Sequence, residues 1–341
     1  MSDQVVIITP ELTAGAGGVA DYTLRLMEEW GDRITPRLIL PNETKNELST
    51  ALPASGGKAL LQYSAYGFDP RGYPKKLLRS LVEWKKTTGG LLVIMFHEIW
   101  AFWPLLNKNR FIQSRHRADL GRLMAVADAV FTSTPSQVEH LRKLDSRCNP
   151  QVMPVGSNIR RTATVDAKRE AGCAVVFGLQ VTRLRTLREF GKLPDAIAKI
   201  ITCGAQNTPA GDAEEEKILQ RLGLTSGYEM RGALAEREIS QLLGRATYAL
   251  SAQDELSLMK SGTFMACAAH GLNIISPAAD SLGAEPLCWL TSPEELAAGI
   301  SPNELETRAK NLREWQARTS AWPIIAERFA EALQLEKAVA A

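Results

Sequence analysis

The sequence predicts an α/β protein made of two doubly wound parallel sheets. Short apolar runs alternate with amphipathic helical stretches along the chain, and parallel strands need such long helical crossovers. The pattern stops at a polar stretch, 159–172, and then starts again. The chain has 341 residues, a length that suits two domains of about 150 residues each. We expect ligands to bind in a cleft between the carboxyl ends of the two sets of strands.

Composition and charge exclude several classes of protein. Lys and Arg number 40 against 38 Asp and Glu, a net charge of +2, so no overall field favours nucleic acid as a partner. The longest apolar run, Leu91–Phe96, is far shorter than the roughly 18 residues that span a bilayer. The first residues lack the basic and apolar regions of a signal peptide. We expect a soluble, cytoplasmic protein.

The cysteines predict neither disulfides nor a metal site. Five are present, an odd number without a CxxC pair, so neither a disulfide framework nor a zinc site is indicated. We expect all five to be buried as small hydrophobic side chains; they are Cys148, Cys173, Cys203, Cys267 and Cys288.

The first domain is predicted to span 1–158. It opens with a strand, Gln4–Ile8, followed by a glycine loop and a helical pattern that runs to Trp30, which is the usual start of an α/β unit. Further strands are predicted at 37–40, 59–63, 91–96, 129–132 and 151–154, with helices at 73–86, 112–126 and 135–144.

A second domain, 173–318, is predicted after the linker 159–172. Its strands are expected at 174–178, 196–203, 228–232, 248–251 and 273–276, and its helices at 212–222, 236–243, 262–270 and 304–316. The stretch after Gly178, with Arg183 and Arg185, is predicted to be a loop. The terminal segment 319–341 is predicted to be a helix that packs back on the first domain.

Two motifs of the first domain stand where ligands bind in α/β proteins. Gly17 and Gly18 precede the first helix, where glycine lets backbone N–H groups approach an anion; the loop is either such a site or a structural turn. His97 and Glu98 follow a buried strand. A histidine there either contacts a phosphate or hydroxyl or is a capping or core residue, and the carboxylate could orient a sugar hydroxyl.

Two further segments predict a surface of unusual composition. The segment from Trp100 to Leu106, which includes Trp103, is rich in aromatic residues; it either packs under a helix or exposes an apolar patch for a hydrophobic acceptor or a membrane. The helix 73–86 is basic and amphipathic. Such a helix either presents a solvated charged face or binds an anionic membrane surface.

Motifs in both halves of the chain resemble those of the retaining family 4 glycosyltransferases. In the second half, the segment from Gly232 to Glu255 is similar to the family's donor-domain signature. In the first half, the similar segments are Gly17–Ala20, His97–Glu98, Ala127–Ser136 and Val152–Gly156. The segment from Trp322 to Phe329 resembles the family's terminal helix. The matches run in order over nearly the whole chain and imply the GT-B fold, two Rossmann-like domains facing a cleft.

The resemblance also implies a function. A GT-B enzyme of this kind moves a sugar from a nucleotide-diphosphate sugar to a glycan, glycolipid or small-molecule acceptor, as in polysaccharide biosynthesis, with retention and without a metal. The nucleotide sugar is a co-substrate, and no other cofactor is implied. Glu255 and His97 are the implied catalytic residues, expected to face one another across the cleft. Local composition, and not the resemblance, leads us to expect Glu98, Trp100 and Trp103 on the acceptor side, with peripheral contact to the inner membrane surface.

The sequence departs from the family at the donor site. The family has a second glutamate eight positions after the first, and here Thr263 stands at that distance from Glu255. The family's basic pair is displaced to Arg183 and Arg185. Both arginines and Lys260 are expected to neutralise the diphosphate. The full set expected to bind the donor is Gly17, Gly18, Arg183, Arg185, Lys260, Ser261, Gly262 and Thr263.

Three alternatives to a transferase remain at this level. The missing second glutamate is compatible with a non-catalytic GT-B scaffold that binds nucleotide sugar. A nucleotide-sugar epimerase uses the same fold and needs no acceptor. A dinucleotide-binding oxidoreductase fits less well, because neither glycine loop is followed by the expected acidic residue.

Overall fold

The computed structural model describes residues 3–13, 17–41, 52–53, 55–99, 107–162 and 168–336, with only the backbone described at 107–110. The chain forms two compact units. Unit 1 comprises Met1–Pro154 and Trp322–Ala341, and unit 2 comprises Val155–Ala321. The divisions therefore lie a few residues from the predicted domain ends at 158 and 318.

Unit 1 is built on a sheet of six parallel strands in the order β2-β1-β3-β4-β5-β6. The strands are β1 (Asp3–Ile8), β2 (Ile34–Ile39), β3 (Lys58–Ser64), β4 (Leu91–Glu98), β5 (Ala129–Thr132) and β6 (Gln151–Val152). The helices that follow the strands are α1 (Gly18–Trp30), α2 (Ala65–Phe68), α3 (Lys75–Thr88), α4 (Asn107–Met124) and α5 (Pro135–Arg142).

Both faces of this sheet are buried. Ile8, Leu61 and Ile94 point to one face, where they join a cluster with Leu81 of α3 and Leu120 of α4. Because side chains alternate along a strand, their neighbours point to the other face and are fully buried as well; these are Ile7, Leu60 and Val93. The near-continuous apolar strands of the sequence are explained by this double burial.

Unit 2 has five parallel strands in the order β11-β10-β7-β8-β9. They are β7 (Glu170–Phe177), β8 (Lys199–Cys203), β9 (Tyr228–Met230), β10 (Ala246–Leu250) and β11 (Asn273–Ile275). The helices are α6 (Gln180–Glu189), α7 (Pro209–Arg221), α8 (Glu236–Arg245), α9 (Glu255–Leu258), α10 (Gly262–Ala269), α11 (Pro293–Ala297) and α12 (Pro302–Thr319). The strand order reverses between β7 and β10, and such switch points are where α/β sheets bind ligands.

Helices cover both faces of the second sheet too. Val175 packs in a cluster with Phe264 of α10, whereas its neighbour Val176 packs with Leu187 of α6 and Leu219 of α7. The predicted doubly wound α/β architecture is confirmed in both units.

Some predicted boundaries are wrong. The stretch after Gly178 is the helix α6 and not a loop, because Leu184 and Leu187 are buried on one side of it. Its buried set also includes polar residues, which hides the helical period in the sequence. The linker ends before residue 170, where β7 begins. His97 and Glu98 do not follow β4 but are its last two residues.

The last helix, α13 (Trp322–Ala332), belongs to unit 1. The indole N–H of Trp30, at the end of α1, donates to the Ala326 carbonyl at 2.9 Å. Arg33 pairs with Glu327 at 2.8 Å. These bonds attach the end of the chain to the beginning of the same unit.

The described residues answer two of the questions raised by composition. All five cysteines are free; Cys173, Cys203 and Cys267 are buried, but Cys148 and Cys288 are only half-buried, so the prediction of five buried thiols is wrong for these two. No helix among the described residues has both the length and the apolar character needed to cross a bilayer.

Glycines allow the strands of unit 2 to end in close contact. Gly178 follows β7 and donates its N–H to the Cys203 carbonyl at 3.1 Å, while Gly204 follows β8 and donates to the Gly232 carbonyl at 2.8 Å. Gly178 and Gly204 have φ of 146° and 142°, values that side chains disfavour. A Cβ on Gly204 would lie 1.9 Å from the Gly178 carbonyl oxygen. The strand ends can therefore approach this closely only with glycine at 204.

We predict that Gly204→Ala lowers the free energy of unfolding by about 3 kcal/mol or more, because the methyl group meets backbone and the φ is strained. Gly223→Ala is the matched control, since Gly223 also has a positive φ, 63°, but open space around it. The control is expected to cost about 1 kcal/mol. Urea-induced unfolding measures both, and equal losses would contradict the steric explanation.

Candidate functional site

A pocket opens at the switch point of unit 2, beside the ends of β7 and β10. Its walls border about 330 Å³ of space, a volume that includes open solvent. Helices α6 and α10 form its sides, and none of the lining residues is charged; they are Phe177, Thr182, Thr186, Ala249, Leu250, Ser251, Gln253, Thr263, Phe264, Cys267 and Ile274. The pocket is therefore apolar at its base and polar but neutral elsewhere.

Three hydroxyl groups in this pocket are available to a ligand. Thr182 and Thr186 lie one turn apart on α6, and Ser251 follows β10. None of these hydroxyls hydrogen-bonds another described residue. A ligand that carries several hydroxyl or amide groups would satisfy them, as sugars and nucleosides do.

A chain of hydrogen bonds leads to Thr263, the residue at the position of the family's second glutamate. The Ser261 hydroxyl oxygen accepts from Gln253 Nε2 at 2.7 Å and from the Phe264 N–H at 3.1 Å. Thr263 Oγ1 lies 2.9 Å from this hydroxyl, and in this orientation of the Gln253 amide, with both Ser261 lone pairs engaged, Ser261 is the donor. In this orientation the Thr263 proton is left to point to a ligand, so this position offers a donor where a glutamate would offer only acceptors.

At the other end of this chain of hydrogen bonds, Gln253 offers an acceptor. Gln253 Oε1 is a buried atom without a hydrogen-bond partner, and an unpaired buried acceptor costs about 1 to 3 kcal/mol. If the Gln253 amide is rotated by 180°, the Gln253–Ser261 and Ser261–Thr263 bonds both reverse their direction. The free donor is then on Gln253 and the free acceptor on Thr263. In both orientations the chain ends in one donor and one acceptor.

The start of α10 is held by residues 155–158. Val155 N donates to the Met259 carbonyl at 3.0 Å and Asn158 N to the Gly262 carbonyl at 3.3 Å. A Cβ on Gly262 would meet Asn158 Cβ at 3.1 Å, which explains the need for a small residue there. Asn158 Oδ1 is a second buried acceptor without a partner. Ser261 is the N-cap of the helix, and its role in donor binding stays a prediction.

The charged residues of the predicted donor site lie on the segments that line this pocket, close along the chain to lining residues. Glu255 is the first residue of α9, is exposed, and makes no hydrogen bond or ion pair with the described residues. Lys260 is exposed and lies two residues before α10. Arg185 of α6 approaches Asp254 at 3.9 Å, with both side chains more than half exposed. Such a surface pair is weak, so the arginine is free to exchange its partner for a phosphate.

Arg183 has a different place from the one predicted. It lies on α6 with its side chain 2% exposed, and Nη2 contacts the fully buried Glu215 carboxylate at 2.9 Å. The same guanidinium donates to the Gly178 carbonyl at 2.8 Å and to Asn207 Oδ1 at 2.6 Å. Arg183 is therefore bonded inside unit 2 and does not project from a loop to a diphosphate, which corrects the prediction.

In unit 1, His97 is half-buried at the end of β4. Its Nε2 lies 2.6 Å from Gln62 Oε1, and its carbonyl accepts from Gln137 Nε2 at 3.3 Å. The Tyr22 ring meets the imidazole edge-on at 5.0 Å between centroids. Glu98 is exposed and accepts from the Ser64 hydroxyl at 2.9 Å. The imidazole is thus held in place by a buried amide and an aromatic ring.

The remaining predicted residues fall into two groups. Gly17 is the N-cap of α1, and Gly18 is its first residue, with open space where a side chain would stand. Trp100 and Trp103, with the aromatic segment around them, lie outside the described residues. In the part of the chain that the structure describes, no three His, Cys, Asp or Glu side chains are grouped so that they could hold a metal ion.

Several residues around these sites were not predicted from sequence. Gln62 is a fully buried polar residue inside an apolar strand, and that contrast with its neighbours was a signal in the sequence. Thr182, Thr186 and Gln253 were not predicted as site residues, since hydroxyl and amide residues are common in loops and helices. Their convergence depends on the strand order, which the sequence pattern alone does not give.

We predict that Glu215→Gln lowers the free energy of unfolding by about 3 to 5 kcal/mol, because it leaves the Arg183 guanidinium buried without a counter-charge. The double variant Arg183→Met with Glu215→Leu removes both charges and is expected to recover more than half of that loss. Urea unfolding of both variants provides the measurement. A double variant less stable than Glu215→Gln would contradict the assignment of a buried structural pair.

The fold can be compared with known proteins. No protein-family model matches the sequence, and no curated protein matches it in a sequence search. Solved structures do match. HepE from Anabaena, solved with UDP and glucose, aligns over 97% of this chain and 99% of its own, with a TM-score of 0.57 and 14% identity.

Two other solved structures match over similar lengths. Sucrose-phosphate synthase from Thermosynechococcus elongatus aligns over 97% of this chain and 98% of its own, with a TM-score of 0.59 and 14% identity. Trehalose-6-phosphate synthase from Burkholderia multivorans aligns over 98% and 96%, with a TM-score of 0.58 and 9% identity. These neighbours are GT-B glycosyltransferases, and at such identities the likeness concerns the fold. The predicted GT-B fold is confirmed.

Proposed function

We propose that this protein transfers a sugar from a nucleotide-diphosphate sugar to a glycan, glycolipid or small-molecule acceptor. The observation that carries the proposal is the neutral, hydroxyl-lined pocket at the switch point of unit 2 of a GT-B fold, with exposed charged side chains on the two segments, 182–186 and 253–263, that contribute to its lining. HepE, which shares the fold, was crystallised with UDP-glucose. A neutral pocket next to cations suits a ligand whose charge is confined to its diphosphate.

In this proposal the pocket takes the nucleoside. The hydrogen-bond chain through Ser261 offers one donor and one acceptor at Thr263 and Gln253, and a ribose hydroxyl can both donate and accept. These neutral groups replace the carboxylate that the family resemblance leads us to expect at position 263. The bound hydroxyl would also satisfy the buried oxygen of Gln253.

The diphosphate would be held by exposed groups beside the pocket. We assign this role to Arg185 and Lys260, with the backbone N–H groups at the start of α10, because a helix N-terminus attracts anions. An arginine can take two phosphate oxygens, whereas a lysine acts as a point charge. These cations would stabilise the leaving diphosphate without a metal. Arg183 is outside this set, since its guanidinium is already bonded.

Each unit contributes one proposed catalytic residue. Glu255 would support the positive charge that develops on the transferred sugar, and retention of configuration is part of the proposal. His97, positioned by Gln62, would contact a sugar hydroxyl, and Glu98 the acceptor. That His97 and Glu255 face one another stays a prediction.

We predict that Thr263→Val weakens binding of a nucleoside diphosphate roughly fivefold, or about 1 kcal/mol, because it removes one hydrogen bond with little change of shape. Isothermal titration calorimetry with UDP, GDP and ADP measures the effect. Thr307→Val, on the exposed side of α12, is the control and should bind as the parent does. Unchanged affinity in Thr263→Val would exclude Thr263 from the nucleoside site.

We predict that Glu255→Gln lowers the rate of sugar transfer by roughly a hundredfold or more, with a much smaller effect on donor affinity, because the carboxylate acts on the reacting sugar. Release of nucleoside diphosphate from a panel of nucleotide sugars, with and without acceptors, provides the rate. Glu294→Gln, in the first turn of α11, is the control. Equal rates in Glu255→Gln and its parent would reject the catalytic role.

A further inference from the structure

Helices α3 and α4 of unit 1 concentrate positive charge. Together, α3 and residues 111–124 of α4 contain eight Lys and Arg against two acidic residues, an excess of six, whereas the whole chain has an excess of two. The eight are Lys75, Lys76, Arg79, Lys85, Lys86, Arg115, Arg117 and Arg122. The remainder of the chain is therefore net negative, and the basic charge is local.

Six exposed residues on these helices form what we call the basic face. Arg79 and Lys86 lie four and eleven residues after Lys75, a spacing that places all three on one side of α3. Phe111, Arg115 and Arg122 repeat this spacing on α4, and all six are exposed. The two rows meet at Asp119, whose oxygens bind Arg79 Nε at 3.1 Å and Arg122 Nη1 at 2.8 Å.

The Asp119 carboxylate offsets only part of the charge of the basic face, which stays net positive. Asp119 is 3% exposed and also accepts from the Tyr73 hydroxyl at 2.6 Å. Burial alone would raise the pKa of Asp119, but the hydrogen bonds from Tyr73, Arg79 and Arg122 lower it. His116 is bonded to Tyr63 at 2.7 Å, and burial lowers its pKa to about 4. It is neutral at physiological pH.

An exposed aromatic ring lies among these cations. Phe111 is 61% exposed, and the Arg115 guanidinium lies over its ring, 4.3 Å from the centroid. An apolar ring that stays at the surface beside cations is the combination found on proteins that bind membranes, where rings enter the interface and cations meet lipid phosphates. A soluble polyanion would satisfy the charges but gives the ring no apolar environment.

We infer that the basic face is a docking surface for an anionic phospholipid membrane. Each Lys or Arg near such a surface adds to the attraction, so the row on each helix is needed for stable attachment. The arrangement holds the α3–α4 surface against the lipid, with Phe111 inserted at the interface. This binding does not depend on the proposed sugar transfer and can be tested without a substrate.

The test uses sedimentation of the full chain with vesicles of phosphatidylcholine mixed with phosphatidylglycerol, and with phosphatidylcholine vesicles alone. The variant combines Lys75→Glu, Lys86→Glu and Arg115→Glu, which leave the Asp119 bonds intact. The control combines Lys192→Glu, Lys217→Glu and Arg237→Glu, exposed residues of unit 2 that change the net charge equally. We expect the first variant to bind the anionic vesicles at least about tenfold more weakly than the control.

Phe111→Ser tests the apolar part of the inference separately. We expect it to weaken binding and to make the residual binding fully sensitive to salt, because only electrostatic attraction remains. Equal binding to both vesicle types, equal loss in the two triple variants, or no binding at low salt would overturn the inference. A fourth result would also overturn it: the protein binds heparin more tightly than the anionic vesicles, and Phe111→Ser does not change the heparin binding. The face would then be a site for a soluble polyanion.

Discussion

The ion pair between Arg183 and Glu215 fixes the geometry of the edge at which unit 2 offers its pocket. One guanidinium, 2% exposed, binds the carboxylate of α7, the Gly178 carbonyl at the end of β7, and Asn207 after β8. Removing two opposite charges from water is favourable only when their geometry and hydrogen bonds are good. Here those bonds join α6, which carries Arg183, to α7 and to the ends of two strands, and the glycines at these strand ends permit the close approach.

The consequence is a separation of charge at the candidate site. Arg183 is bonded inside unit 2, the pocket is lined by apolar, hydroxyl and amide groups, and Arg185 and Lys260, on the segments that line it, are exposed. A ligand with a neutral, hydroxyl-rich part and a charged diphosphate fits this division. A nucleotide-diphosphate sugar is such a ligand, and the GT-B fold is consistent with it.

Much of the fold was predictable from sequence, because doubly buried strands are short apolar runs, and β7 and β8 are each followed by a glycine. The site was less so. Arg183 was assigned to a diphosphate because its partner, Glu215, lies 32 residues away on another helix, and a sequence pattern does not show such a pair. Helix α6 was missed because it buries polar residues. The basic residues of α4 were not connected with the basic helix α3 from sequence, since only the structure shows that Arg122 of α4 and Arg79 of α3 bind the same carboxylate, Asp119.

Hydrogen–deuterium exchange with and without saturating UDP, GDP or ADP tests the central claim most directly, that the pocket of unit 2 binds a nucleoside diphosphate. The account predicts slower exchange for backbone amides at 251–253 and at the start of α10, residues 261–264, in the presence of at least one of these ligands. Exchange in α3 and α4 should stay unchanged. Unaltered exchange at 251–264 with all three ligands, or protection confined to unit 1, would contradict it.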